Sequence, residues 1–192
     1  MNKTFLGALA IAASVGAFAA PPANEKEALS VEIARLLVNL HWRNMIAISL
    51  QRGDIQSAAM RTKGITEAQS SCVRREYNED ALMALVATSY ERVYSSSQVV
   101  ADVNAFVEST GGQKIIASIA EQAKLHGARV AAENLKPELV LSPQEMNYFD
   151  LFAASTAGRE YLEARRRLPP IQRELLAGFA AAALARCGVT HD

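Results

Sequence analysis

The sequence has few helix-breaking residues and no excess of charge of either sign. Of its 192 residues only 10 are glycine and 6 are proline, while 50% are hydrophobic. Alanine, the commonest residue, loses the least conformational freedom on entering a helix, so this mixture favours helices over strands. The 20 basic and 20 acidic residues cancel, which argues against a dedicated nucleic-acid binder because such proteins carry a basic excess. The high apolar content also excludes a disordered chain.

Common catalytic and nucleotide-binding motifs are absent as well. There is no G-x-S-x-G, H-E-x-x-H, P-loop, G-x-G-x-x-G or C-x-x-C motif, which removes the most easily recognised hydrolases and nucleotide-dependent enzymes. The cysteines and the three histidines, His41, His126 and His191, have no metal-ligand spacing. The sequence therefore predicts neither a metal site nor a cofactor.

Apolar residues recur at helical spacing, and no stretch alternates as a strand would. We therefore predict an all-α fold, a compact bundle of about six to eight helices that forms one domain over 20–192. The first helix is expected to run unbroken over 24–52. Gly111-Gly112 is expected to break a later helix. Pro169-Pro170 is expected to end another, because proline cannot donate to the helical hydrogen-bond ladder.

The clearest helix start is the stretch from Ser142 to Glu145. Serine at the N-cap, proline at the first helical position and glutamate at the third form a capping box. The helix that follows is expected to bury Met146, Phe149 and Phe152 as one stripe.

The N-terminus has the features of a signal peptide over 1–19. A basic residue, Lys3, precedes the uncharged apolar stretch 5–15 and the small-x-small sequence that ends at Ala19. Cleavage is expected after Ala19, because a cut after Ala20 would place a proline directly beyond the bond. An uncleaved anchor is the alternative, although the apolar run is shorter than the roughly 20 residues of a spanning helix. No later segment is expected to span a membrane, so the mature chain should be periplasmic or secreted.

Two cysteines remain in that mature chain, Cys72 and Cys187. In an oxidising compartment one internal disulfide is the default expectation. Two buried thiols or an intermolecular bond are the alternatives, because the sequence does not show that the two Cα atoms approach each other.

Two stretches, 96–115 (the first unit) and 142–161 (the second unit), align without gaps at an offset of 46 with six identical residues. Each predicts a capped helix, a break at Ser-Thr-x-Gly and a second helix. Serine and threonine supply partners for backbone groups freed at the break, and glycine permits a close turn. A duplication is predicted, with coincidence among Ala- and Ser-rich helices as the alternative. The motif residues are Ser96, Phe106, Ser109, Thr110 and Gly112, and their counterparts Ser142, Phe152, Ser155, Thr156 and Gly158.

The stretch from Tyr90 to Ile115 resembles a bacterial exported family known as domain of unknown function twenty fifty-nine. The family pattern has a Tyr, a Phe/Tyr-Ser/Thr helix start with an acidic-Leu helix, and then Phe-Tyr-x-Ser-Pro-x-Gly-x-Lys. This chain has Tyr90, Tyr94-Ser95-Ser96 and the stretch 106–114, with Val107 and Thr110 in place of the family's Tyr and Pro. The resemblance covers about a quarter of the chain once the second unit is included. It implies a secreted helical domain and adds no chemistry.

One acidic residue invites an enzymatic interpretation. Glu108-Ser109 looks like the Glu-Ser start of lytic transglycosylases, in which Glu108 would be a general acid with a raised pKa. The second unit has Ala154 at that position, and the Gly-Leu-Met-Gln sequence expected downstream is absent. A cell-wall hydrolase is therefore kept as an alternative function.

Three further groups have both a functional and a purely structural interpretation. His41 either acts at a site or is a polar surface residue. The run 165–167 of three arginines either meets an anionic lipid or polysaccharide or is solvated helix surface. Tyr77, Tyr90 and Tyr94 either line a groove or pack as core tyrosines.

The sequence favours a non-enzymatic exported protein without a nucleic-acid partner. It is expected to bind a protein partner or an apolar small molecule between helix hairpins, because the helix over 24–52 has a wide apolar surface and the repeat carries no catalytic groups. A structural homodimer through that helix is a further alternative.

Overall fold

The computed structural model describes residues 25–51, 53, 64–127 and 139–189, and for 122–127 only the backbone. Within these ranges the chain forms eight helices and no strand, which confirms the all-α fold. The predicted signal peptide and its cleavage site lie outside them. The helices are α1 (Glu25–Asn39), α2 (Trp42–Gln51), α3 (Glu67–Glu76), α4 (Glu79–Glu91), α5 (Ser97–Glu108), α6 (Thr110–Gly127), α7 (Pro143–Ala154) and α8 (Thr156–Arg186).

Capping residues begin the helices where the sequence predicts. The Ser96 hydroxyl accepts a hydrogen bond from the Val99 amide at the start of α5. At the start of α7 both halves of the capping box are present: the Ser142 hydroxyl accepts from the Glu145 amide, and the Glu145 carboxylate accepts from the Ser142 amide. Such contacts satisfy the backbone donors that a helix leaves free at its N-terminus.

The predicted unbroken helix over 24–52 is wrong, because the chain turns at Leu40 and His41. His41 has a φ of 55°, in the left-handed region, and its amide donates to the carbonyl of Val38 at 3.0 Å. The turn has a packing reason. α1 lies on α5 and α4, while α2 lies on α4 and α6, and a straight helix could not follow both paths.

Pro169-Pro170 does not end a helix, contrary to prediction. α8 is 31 residues long and continues through both prolines. The prolines leave two carbonyls of the preceding turn without a backbone donor. Burial on both sides of them offsets that cost, with Ala164 and Leu168 before the prolines and Ala183 and Leu184 after them.

Two hydrophobic clusters form the core. In the first, four residues of α1 (Leu29, Ile33, Leu36 and Leu37) pack with residues of α5, α6 and α8. The second joins Ile46 of α2, Val73 of α3 and the C-terminal part of α8. Because α4 and α8 contribute to both clusters, they hold the two parts of the described chain together.

Cys72 of α3 and Cys187 at the end of α8 lie at disulfide distance. Their sulfur atoms are 2.01 Å apart and their Cα atoms 5.7 Å apart. The Gln69 side chain donates to the Gly188 carbonyl at 2.7 Å beside them. This pair connects the C-terminus of the described chain to a helix 115 residues earlier.

The two aligned units have the same break geometry, although only the serine of each motif, and not the threonine, supplies the backbone partner that was predicted for both. The Ser109 hydroxyl, not that of Thr110, caps α6: it donates to the Phe106 carbonyl at 2.6 Å and accepts from the Gly112 amide at 3.1 Å. Ser155 makes the equivalent bonds to Phe152 and Gly158, at 2.6 and 3.0 Å. Each glycine thus lies in the first turn of the new helix and does not itself break the chain. Common descent of the units stays a prediction.

The units also contact each other in a reciprocal way. The first helix of each unit, α5 or α7, packs on the second helix of the other, α8 or α6. The rings of Phe106 and Phe152 stack between them, with centroids 3.9 Å apart and planes 2° from parallel. Equivalent residues that meet face to face are what an approximate two-fold arrangement requires.

The stripe expected to be buried on α7 is largely exposed. Met146 is 46% and Phe149 37% exposed, whereas their counterparts Val100 and Val103 in the first unit are fully buried. The difference has a plain cause, since α1 covers α5 and no described helix covers α7 in the same way. Only Phe152 of that stripe packs against the core.

Candidate functional site

The tyrosine cavity is an apolar cavity of about 210 Å³ that opens to the surface beside three tyrosines. Its aromatic and charged lining residues are Trp42, Tyr90, Tyr94, Tyr161 and Arg165, and the remaining lining residues are Leu40, Met45, Ile116, Ile119, Ala120, Ala164 and Leu168. Apolar walls with a few convergent polar groups are typical of small-molecule sites.

Four helices bring these residues together. α2 starts directly after the turn at His41, which places Trp42 and Met45 over the cavity. Tyr90 ends α4, and Tyr94 follows one turn later, so the two rings stack with centroids 6.2 Å apart. α8 adds Tyr161, and its next turn adds Arg165 on the same face.

The polar groups of the cavity are only partly satisfied. The Trp42 indole donates to the Tyr90 hydroxyl at 3.0 Å. The Tyr94 hydroxyl is buried and has no hydrogen-bond partner within the described ranges. Leaving a buried hydroxyl unpaired is costly and uncommon in folded proteins, and here it belongs to a residue that lines the cavity.

Burial also perturbs the phenols. It raises the pKa of Tyr90 to about 12, an effect that the hydrogen bond from Trp42 partly opposes. It raises the pKa of Tyr94 further, with smaller contributions from Tyr90, Tyr161 and Glu160. The pKa of Tyr161 is raised by burial and lowered by the positive charge of Arg165. The three phenols therefore stay neutral donors at physiological pH.

A second apolar cavity, of about 220 Å³, adjoins the first. Trp42 and Met45 line both, and Leu82, Gln172 and Leu176 are among the residues that line only the second. The Gln172 amide donates to the buried Ser89 hydroxyl at 3.2 Å. The two cavities form an apolar groove along α2 that is divided by the side chains of Trp42 and Met45.

The surroundings of Glu108 are opposite to those of a general acid. Its carboxylate accepts hydrogen bonds from the Arg35 guanidinium, at 2.6 Å from Nε, and from the Asn39 amide at 2.9 Å. The Arg35 hydrogen bonds, followed by that of Asn39, lower the pKa of Glu108. A carboxyl that must donate a proton needs its pKa raised instead. Glu108 therefore fits an ion pair between α1 and α5.

That ion pair belongs to a network that the sequence did not reveal. Asn104 is fully buried on α5, donates to the carbonyl and carboxylate of Glu32 at 2.9 and 2.8 Å, and accepts from Asn39 at 3.3 Å. An asparagine among valines and a phenylalanine, at a position on the inward face of α5, is the signal that could have found it. Its role is to fix α1 on α5.

The other residues singled out from the sequence separate in space. Tyr90 and Tyr94 line the cavity, whereas Tyr77 packs on Phe179 in the second core cluster, with ring centroids 5.0 Å apart. His41 is exposed at the α1–α2 turn. Of the three consecutive arginines only Arg165 lines the tyrosine cavity. Tyr161 could not be assigned to this group from the sequence, because its position depends on the path of α8.

Two kinds of feature are absent from the described ranges. These ranges contain no helix long and apolar enough to cross a membrane. They also contain no group of three or more His, Cys, Asp or Glu residues placed to hold a metal ion.

No family model, curated protein or solved structure matches this chain. The resemblance to domain of unknown function twenty fifty-nine therefore stays a prediction, and the function has to be argued from the cavity itself.

Proposed function

We propose that this protein binds a small, largely apolar molecule in the tyrosine cavity and acts as a carrier or sensor. The observation that carries the proposal is an apolar cavity lined by three tyrosines. One of them, Tyr94, has a buried hydroxyl without a hydrogen-bond partner in the described ranges. An apolar void alone is a packing defect that costs stability. An apolar void beside an unpaired donor gains from a ligand with both an apolar body and a polar atom.

The volume limits the size of the ligand. A cavity of about 150 Å³ in a protein core holds a benzene molecule, and the tyrosine cavity measures about 210 Å³. It suits one ring with a short chain, or a short aliphatic chain. A longer ligand would extend towards the second cavity past Trp42 and Met45.

We propose that the protein does this outside the cytoplasm, in the periplasm or after secretion. The cysteine pair at disulfide distance, together with the absence of a membrane span in the described ranges, is compatible with export. The signal-peptide features of 1–19 support the same compartment.

The other two hypotheses have less support. A hydrolase that uses Glu108 would need a carboxyl with a raised pKa, and Arg35 and Asn39 have the opposite effect. A homodimer through the first helix would need a free apolar face. The apolar face of α1 is already buried against the same chain, which leaves only Val31 and Val38 exposed as large apolar residues of that helix.

The first test is a native mass spectrum of the protein from its own producer, followed by titration of the emptied protein with 3-phenylpropan-1-ol. Trp42 is the only tryptophan of the chain and lines the cavity, so its fluorescence reports binding directly. Ala120→Phe is expected to abolish the response, because a ring at 120 fills the cavity. Ala117→Phe, on the exposed side of the same helix, is the matched control and should bind as the unaltered protein does.

The outcomes are distinct. A mass lost on denaturation, or a saturable fluorescence change that only Ala120→Phe removes, supports the proposal. A bare protein mass together with no response to the alcohol at millimolar concentration would refute a small-molecule role for this cavity.

A further inference from the structure

We infer that Arg165 makes the tyrosine cavity selective for ligands that carry an anionic group, such as a carboxylate, on their apolar body. The inference rests on the proposed function and adds the chemical class of the ligand. Arg165 places a guanidinium at the rim of a cavity whose other aromatic polar groups, three phenols and the Trp42 indole, are neutral.

Arg165 differs from most of the arginines around it in having no partner. Arg166, the next residue, contacts the Glu163 carboxylate at 3.7 Å, and Arg159 donates to the Ala154 carbonyl at 2.5 Å. Arg165 makes no ion pair or hydrogen bond with another residue of the described ranges, although it lines the cavity. Its donors are thus free for a ligand, and a guanidinium offers a carboxylate two parallel hydrogen bonds.

The position of Arg165 relative to the phenols also favours the binding of an anionic group. Arg165, Tyr90 and Tyr161 line the same cavity, and the positive charge of Arg165 acts to lower the pKa of both phenols. An anion bound there would accept from the guanidinium and from a phenol at once. A charge-assisted hydrogen bond of this kind is stronger than one between neutral groups.

One opposing charge lies nearby. Glu160, on the preceding turn of α8, acts on the Tyr94 phenol. It is exposed to solvent and is not among the residues that line the cavity. Water screens its repulsion of a ligand anion more than it screens a direct contact with Arg165.

The test compares three probes that share one apolar body: 3-phenylpropionate, 3-phenylpropan-1-ol and 3-phenylpropylamine. Binding is measured at pH 7 by Trp42 fluorescence in the full protein. The carboxylate is expected to bind about tenfold more tightly than the alcohol, and the ammonium more weakly than either. Arg165→Gln should bring the carboxylate to the level of the alcohol. Arg166→Gln, which alters the paired neighbour outside the cavity, should leave the ranking unchanged.

Each result has one meaning. Equal binding of carboxylate and alcohol overturns the anion selectivity and leaves the cavity as an apolar site. A preference for the carboxylate that survives Arg165→Gln overturns the role of Arg165 in that selectivity. Failure of all three probes to bind overturns the proposed function and the inference together. If Arg165→Gln does not fold, as judged by circular dichroism, the order of the three probes on the unaltered protein still decides whether the cavity prefers an anion.

Discussion

At the scale of single residues, two glycines determine how closely the helices of each unit approach at the break. A Cβ atom on Gly112 would lie 2.1 Å from the Phe106 carbonyl oxygen, and one on Gly158 would lie 1.9 Å from that of Phe152. Both distances are well inside van der Waals contact, and the clashing atoms are backbone atoms that cannot rotate away. Glycine is therefore required at both positions because the path of the chain leaves no room for a Cβ atom, and not because the position must be flexible.

We expect Gly112→Ala and Gly158→Ala each to destabilise the protein by about 2–4 kcal/mol, because the preceding helix must shift. Gly178→Ala is the matched control. Gly178 is also inside a helix, but a Cβ there meets nothing within 4 Å, so alanine should stabilise by about 1 kcal/mol through its helix propensity. Urea unfolding of the three variants measures the differences. A gain in stability at 112 or 158 would contradict the packing described here.

At the scale of helices, the sequence predicted the starts well and the ends and bends poorly. Helix starts at Ser96 and Ser142 depend on residues within one turn, so local sequence is enough to find them. The turn at His41 and the passage of α8 through Pro169-Pro170 depend on which helices lie alongside. Such tertiary packing outweighs the local preference of a residue.

The same scale includes the cysteine pair at disulfide distance between α3 and the end of α8. Closing a loop of 115 residues restricts the unfolded chain, which in chain-entropy models stabilises the fold by about 4–5 kcal/mol. We expect a reductant to lower the free energy of unfolding by roughly that amount. Urea unfolding with and without dithiothreitol measures the loss.

The double variant Cys72→Ala, Cys187→Ala provides the control. It should have the stability of the reduced protein and should not respond to dithiothreitol. A protein whose intact mass and stability are the same with and without reductant would show that the two thiols are not joined in solution.

At the scale of the whole molecule, the cavity could not be predicted from the sequence. Its lining residues come from four helices and from two connecting segments, at Leu40 and Tyr94, and they span more than a hundred positions between Leu40 and Leu168. The sequence suggested Tyr77, Tyr90 and Tyr94 together as possible groove residues. Tyr90 and Tyr94 do line the cavity, but Tyr77 packs in the second core cluster. Residue types and local periodicity predict which side chains are apolar, whereas the gap between helices depends on how all of them pack together.

The buried phenols link the cavity to the stability of the whole fold. Burial raises the pKa of Tyr90 from 10.0 to about 12, and it also raises the pKa values of Tyr94 and Tyr161. The unfolded chain releases these protons near pH 10, while the folded chain holds them to higher pH. The stabilising contribution of Tyr90 is therefore fully present below pH 10 and is lost as the pH rises through about 12.

We therefore expect the free energy of unfolding to fall by about 1.4 kcal/mol per pH unit for each such tyrosine above pH 10. Urea unfolding at a series of pH values, with phenolate absorbance followed in parallel, measures this slope. Tyr90→Phe should reduce the slope by the share of one tyrosine, and the contribution of lysine deprotonation cancels in that comparison because both proteins have the same lysines. Phenolate absorbance from all the tyrosines near pH 10 while the protein remains folded would mean that the phenols are not buried, contrary to the burial from which the binding function is inferred.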